Sequence, residues 1–229
     1  MTDPDRRPRG LAAGLTRESV LEGAERVVER VGFGGASIRG VALELNVTPG
    51  ALYHHFRNKQ QLLDAVADEF LAREVLTRLP HDAAPLERIR WICHRLHAAG
   101  RAHPAMLTSI VGHLSERLDS SQMAVASELL EALREAGASA REVGVYYRLL
   151  VAMCVGNAVY DFNLANADPD DARRLLALHT EHSPYPQMSA YLRSMPKPGA
   201  TGWLDRELDL VLAGLQGSSP RASTSAVGT

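Results

Sequence analysis

Apolar residues along this chain return every three or four positions, and no run of alternating positions bounded by hairpin turns interrupts them. That period belongs to helices with one buried face, whereas half-buried strands alternate. Val20, Ala24, Val27, Val28 and Val31 form the first stripe. Thr16 is a good N-cap ahead of it, and Glu18 is favourably placed in the first turn. The stretch GFGG, Gly32 to Gly35, closes this helix, because glycine accepts the left-handed backbone of helix ends and Phe33 can fold back on the stripe. Ser37 caps a second helix whose Ile38, Val41, Ala42 and Leu45 again fall on one face, and Asn46, tolerant of positive φ, breaks it. A third helix starts at Thr48, where Pro49 keeps its predecessor extended and has no N–H to waste in a first turn. Its Leu52 and Phe56 point inward, while Gly50, Tyr53, His54 and Arg57 share the opposite face. Asn58 caps a fourth helix carrying Leu62, Leu63, Val66 and Phe70.

The remainder is also helical. One helix runs from Pro85 and breaks near Gly100 to His103, another starts at Pro104, and Gln122 to Ala136 gives a further one closing at Gly137. Arg141 to Ala165 is the longest candidate. One of its stripes holds Tyr146, Leu150, Met153, Asn157, Tyr160 and Leu164; a second holds Val143, Tyr147, Val151, Cys154 and Ala158, so burial on both sides is expected. Leu204, Leu208, Val211, Leu212 and Leu215 give the final helix an apolar face. The stretch from Ala165 to Gln187 is expected as a short helix, a lid or part of a dimer contact.

Two short helices joined by a tight turn, with polar groups outward on the second, make a helix-turn-helix. Gly50 lets a partner approach the backbone, and Tyr53, His54, His55 and Lys59 offer donors suited to phosphates and base edges. Composition adds modest support. The whole chain carries a formal charge of -2, so the overall basic balance of many nucleic-acid binders is missing. Residues 1–60 nevertheless hold 9 Lys/Arg against 7 Asp/Glu, so the basic excess sits with the motif. Cys93 and Cys154 form no close pair and suit a reducing compartment. The first ten residues lack the apolar core of a secretory signal, and the longest apolar run is shorter than the roughly 20 residues of a membrane span. The expectation is a cytoplasmic protein with no membrane partner.

From about Leu15 to Phe70 the chain resembles the tetracycline-repressor (TetR) family: an amphipathic helix, a glycine stop, a Ser-x-Arg-x-x-Ala helix, then VTPGALYHHFRNKQQL. The resemblance implies an all-α fold, with an N-terminal three-helix helix-turn-helix DNA-binding domain and a larger C-terminal helical domain for ligand binding and dimerisation. The expected divisions are a flexible basic arm at 1–15, the DNA-binding domain at 16–60, the effector and dimerisation domain at 61–216, and a disordered tail at 217–229. It further implies a homodimer on double-stranded operator DNA, with third helices in major grooves about 34–36 Å apart or a multiple of that. Carried over residue by residue, Ser37 and Arg39 contact DNA from the second helix. Thr48, Gly50 and Ala51 open the recognition helix, Tyr53, His54 and His55 follow, and Lys59 is the phosphate-binding lysine. Arg6, Arg7 and Arg9 could trail into a minor groove. In the family the long helix and the last helix build the dimer interface, and a small-molecule effector sits among the helices. Expected lining residues here are Trp91, His94, His97, Met106, Met123, Met153, Asn157 and Tyr160, since Met and aromatic side chains adapt to irregular apolar ligands.

Other chemistries find less in the sequence. His94 and His97 are spaced to share a helix face, but a metal needs three or four ligands and neither cysteine lies in a ligand motif, so no metal and no cofactor are expected. Asp161, His179 and Ser183 come without a nucleophile elbow, and GFGG follows a helix rather than a strand, so no enzyme is expected. The rival is a helical small-molecule-binding or sequestering protein whose helix-turn-helix is structural only; it predicts DNA affinity without sequence preference.

Overall fold

The computed structural model describes residues 15–113, 115, 117–168 and 202–217, with isolated residues between 170 and 190. The basic arm, the tail beyond 217, His179, Ser183 and most of the 165–187 stretch lie outside the described residues. Among these residues the elements are helices: α1 (Arg17–Gly35), α2 (Ile38–Glu44), α3 (Pro49–Tyr53), α4 (Lys59–Leu71), α5 (Pro85–Ala102), α6 (Pro104–Val111), α7 (Ser121–Glu135), α8 (Val143–Ala165) and α9 (Trp203–Gly217). A five-residue π turn, Ala72–Leu76, continues α4.

The chain forms two compact units. Of the described residues, those from 15 to 80 and from 103 to 129 form unit 1, and those from 81 to 102 and from 130 onward form unit 2. The boundary expected at residue 60 falls inside unit 1, because α4 packs its apolar face on α1 rather than leaving with the later helices.

In unit 1 the local signals act as physical chemistry requires. Thr16 and Ser19 form a reciprocal capping box, with Ser19 N–H donating to Thr16 Oγ1 at 3.1 Å and Thr16 N–H to Ser19 Oγ at 2.9 Å. Ser37 Oγ accepts the Gly40 N–H at 3.0 Å, and Asn58 Oδ1 accepts the Gln61 N–H at 2.8 Å. Gly32 adopts φ 65°, ψ 176°, a conformation open to little but glycine, and kinks α1 there. The kink turns Phe33 into the core, and its N–H donates to Ser109 Oγ from α6 at 3.1 Å. Asn46 ends α2 with φ 53°. Val20, Ala24, Val28, Leu52, Phe56, Leu62 and Phe70 are buried together as the core. At the far end of α4, Arg73 forks onto Glu25 of α1 at 2.7 and 3.2 Å and also bonds Glu74, so hydrogen bonds to those carboxylates raise its already high pKa.

In unit 2, α5 lies along α8, and α9 packs on both. Leu150, Cys154 and Ala158 of α8 are buried, as are Ile89, Ile92, Cys93 and Leu96 of α5. The expectation that α8 is buried on both sides is not met within one chain. Val145, Leu149 and Tyr160 are exposed, and so are Ala152 and Gly156 between them. The apolar face of α9 also goes elsewhere than expected. Leu204, Leu208, Leu212 and Leu215 are buried within their own chain, and Leu210 is left outward. Gly214 makes this possible, since a Cβ there would stand 2.9 Å from Tyr146 Oη. By length and mean hydropathy, 1.3, the 23-residue α8 also meets the size requirement of a membrane span, a test that core helices pass as well.

Candidate nucleic-acid interface

The helix-turn-helix owes its geometry to two anchors. Leu52 and Phe56, both fully buried, fix α3 against the core, and the Phe56 N–H closes a last helical bond to Leu52 O at 3.0 Å. Beneath it, Glu44 at the end of α2 accepts Arg26 at 2.8 Å and Arg30 at 2.7 Å, tying α2 to α1. Those two hydrogen bonds hold the Glu44 carboxyl below the usual carboxylate range.

The anchored scaffold presents one polar surface. Arg39 stands exposed on α2, and the Ser37 hydroxyl just before that helix, already accepting a backbone N–H, retains its own hydrogen to donate. Thr48 caps α3 by position only: its hydroxyl makes no bond to the helix and is free for an outside partner. Ala51 is partly buried behind it, Tyr53 and His54 stand exposed, and His55 is half-buried. Gly50 is the most telling residue. A Cβ there would meet only Thr48 Oγ1 at 3.8 Å, an ordinary contact, so folding imposes no need for glycine. In a helix, glycine is less favourable than alanine by about 1 kcal/mol, and a close approach of something external to the backbone is the remaining use for it. Lys59 Nζ donates to Gly34 O at 3.2 Å, a single bond that holds the ammonium beside the glycine loop until a stronger acceptor arrives.

Sequence reasoning missed Arg17. Its guanidinium lies over the Phe56 ring, 4.5 Å from the centroid, which places an exposed cation beside the recognition segment. Nothing local signals this, because Arg17 and Phe56 are 39 residues apart and only the fold brings them together. The arginines at 6, 7 and 9 lie outside the described residues.

The expected effector residues divide between the two units. Met106 is fully buried in unit 1, and Met123 is largely exposed there. In unit 2, Trp91 and Met153 are half-buried and Tyr160 is exposed. His94 Nε2 lies 2.8 Å from Asp205 Oδ1, and His97 Nε2 lies 3.0 Å from Asp161 Oδ2. Burial pushes the His97 pKa down against the pull of Asp161. Asn157 donates to Glu207. The Trp91 Nε1 is buried without a hydrogen-bond partner, a donor available to a ligand acceptor.

Comparison with known proteins places this geometry. The profile described as bacterial regulatory proteins, tetR family, matches residues 20–66. The class C tetracycline repressor protein of Escherichia coli is 29% identical over 206 residues, covering 88% of this chain and 91% of that protein. The class D repressor of Escherichia coli is 33% identical over 138 residues, covering 58% of this chain and 60% of that protein. Among solved structures, BioQ with its natural double-stranded DNA operator is 27% identical, with a TM-score of 0.54 over 88% of this chain and 98% of that one.

Proposed function

We infer, because this chain belongs to the tetR family of bacterial regulatory proteins, that its sequence-specific DNA binding is performed by the α2–α3 surface and that it acts as a repressor released by a small-molecule effector. The observation that carries the site assignment is Gly50, a helical glycine with no steric reason inside the fold, at the centre of a face bearing Arg39, Thr48, Tyr53 and His54. Ser37, Arg39, Thr48 and Lys59 serve as phosphate contacts, fixing register on the duplex. Gly50, Ala51, Tyr53, His54 and His55 face the bases of the major groove. Arg17 adds a further cation at the rim.

Replacing Tyr53 by Phe or Lys59 by Ala is expected to weaken operator binding by about 1–2 kcal/mol each without changing the oligomeric state. Lys59→Ala should also lower the salt slope by about one unit, the signature of one lost phosphate contact. Fluorescence anisotropy on a labelled operator across a salt series measures both. Unchanged affinity in both variants would remove these residues from the interface.

Operator binding by two half-site readers calls for a second copy of the chain, and α8 supplies a surface for it. Val145, Leu149, Ala152, Gly156 and Tyr160 follow one another at helical spacing on the open side of α8. A Cβ at Gly156 would meet nothing within 4 Å inside the protomer, so this glycine too is best explained by close approach from outside. This stripe, with Leu210 of α9, forms the core of the proposed homodimer contact. The effector is proposed to engage Trp91, His94, His97, Met153 and Asn157 in unit 2; the Trp91 Nε1–H suits an acceptor on the ligand. It releases DNA only in so far as it binds better to the state whose recognition helices are wrongly spaced. The bacterial cytoplasm, where operator DNA lies, is the proposed location.

A further inference from the structure

Helix α4 begins at Lys59, and only residues 54–58 separate it from the recognition helix. One side of α4 is apolar and packed on α1. A second side carries Gln60, Asp64 and Asp68, four residues apart, and Asp64 is a nearly fully buried carboxylate. Burying a carboxylate is costly unless donors meet it. Here His113, just after α6, approaches with Nε2 at 2.7 Å from Asp64 Oδ1, and Gln60 Nε2 approaches the same oxygen at 3.2 Å and the His113 Nε2 at 3.3 Å. One turn on, Asp68 accepts Arg117 at 3.2 Å and the Ser121 N–H. The His113 ring also stands edge-on to Phe33 at the glycine kink of α1, with centroids 5.0 Å apart. A single stretch of chain after α6 thus grips α4 along its polar side and touches α1 where that helix bends.

We propose that His113 and Asp64 are positioning residues for DNA binding: a charge-assisted clasp that holds α4, and with it the recognition helix, in the register competent for the operator. A slide or rotation of α4 relative to the stretch after α6 unpairs a buried carboxylate, so the clasp penalises every other position of the helix. The apolar contact with α1 alone is less exacting, because hydrophobic packing is non-directional. The groups facing His113 are Asp64 and Gln60 of α4 and the Phe33 ring of α1, with Asp68, Arg117 and Asp119 as the next charges.

This rests on the DNA-binding reading, and the test separates the two. The probe is a duplex selected from random DNA by the wild-type protein, with affinities measured for wild type, Asp64→Asn, His113→Gln and the double variant. At pH 6 each single variant is expected to bind about tenfold more weakly than wild type, and the double variant no more weakly than the singles, because both remove one coupling. Thermal unfolding reports the folded fraction, and His113→Gln, a change outside the helices, carries the test if Asp64→Asn loses its cooperative melt. Losses that add in the double variant, or that match the loss of folded protein, overturn the clasp. Failure of the wild type to select any duplex would instead overturn the DNA-binding reading.

Discussion

Replacing Phe56 by alanine is expected to destabilise unit 1 by about 3–5 kcal/mol and to abolish operator binding. Phe56 is fully buried, one turn after Leu52, and these two side chains pin the short α3 to the core. A five-residue helix has no stability of its own, since nucleation alone is unfavourable and isolated helices need roughly a dozen residues or more. Its orientation therefore comes from these anchors, from the turn at Asn46 and from the Asn58 cap that starts α4. Truncating Phe56 leaves a cavity and also removes the ring on which Arg17 rests. Thermal unfolding and an operator shift assay measure the two losses. A melting temperature within a degree or two of wild type would show that α3 is held by something other than this anchor.

Replacing Leu149 by arginine is expected to leave the protomer folded and to split the dimer. In the single chain Leu149 is about half exposed, at 47%, so an arginine meets no intrachain obstacle. In the proposed contact the same position lies within the α8 stripe and is covered on both protomers. Two arginines there would be desolvated, a penalty of about 3 kcal/mol or more. Sedimentation equilibrium should show monomer at micromolar concentration. Operator affinity should fall by a factor of about 100 or more, because a lone half-site reader loses the effective concentration conferred by its twin. A variant that remains dimeric would move the interface off this face of α8.

The features legible in the sequence are those set by neighbours in the chain. Thr16, Ser37 and Asn58 each accept the backbone N–H that their cap positions demand, Gly32 takes the positive φ that kinks α1 and Asn46 the one that stops α2, and Leu52 and Phe56 are inward because they are four apart. Features that depend on distant partners were not. Asp64 reads as one more polar residue on an amphipathic helix until His113, 49 residues on, is brought to it. Arg17 reads as an ordinary first-turn residue until α3 lies over it. The stripes of α8 are both apolar, so periodicity alone cannot say which side is buried; the buried side takes Leu150 from one stripe and Cys154 and Ala158 from the other. Likewise α9 shows an apolar face in the sequence, but only the packing against α5 and α8 shows that this face is consumed within the chain. A helix likewise joins a compact unit through what its apolar side touches, and α4 lies in unit 1 with α1.

The most direct test of a DNA-binding regulator is equilibrium binding of the purified protein to DNA flanking its own gene, against a scrambled duplex of the same composition, over a salt series. The expected result is a preference of several kcal/mol for the flanking DNA, with affinity falling steeply as salt rises. Equal, weak binding to both duplexes, followed by failure of the protein to enrich any sequence from genomic fragments, would contradict it.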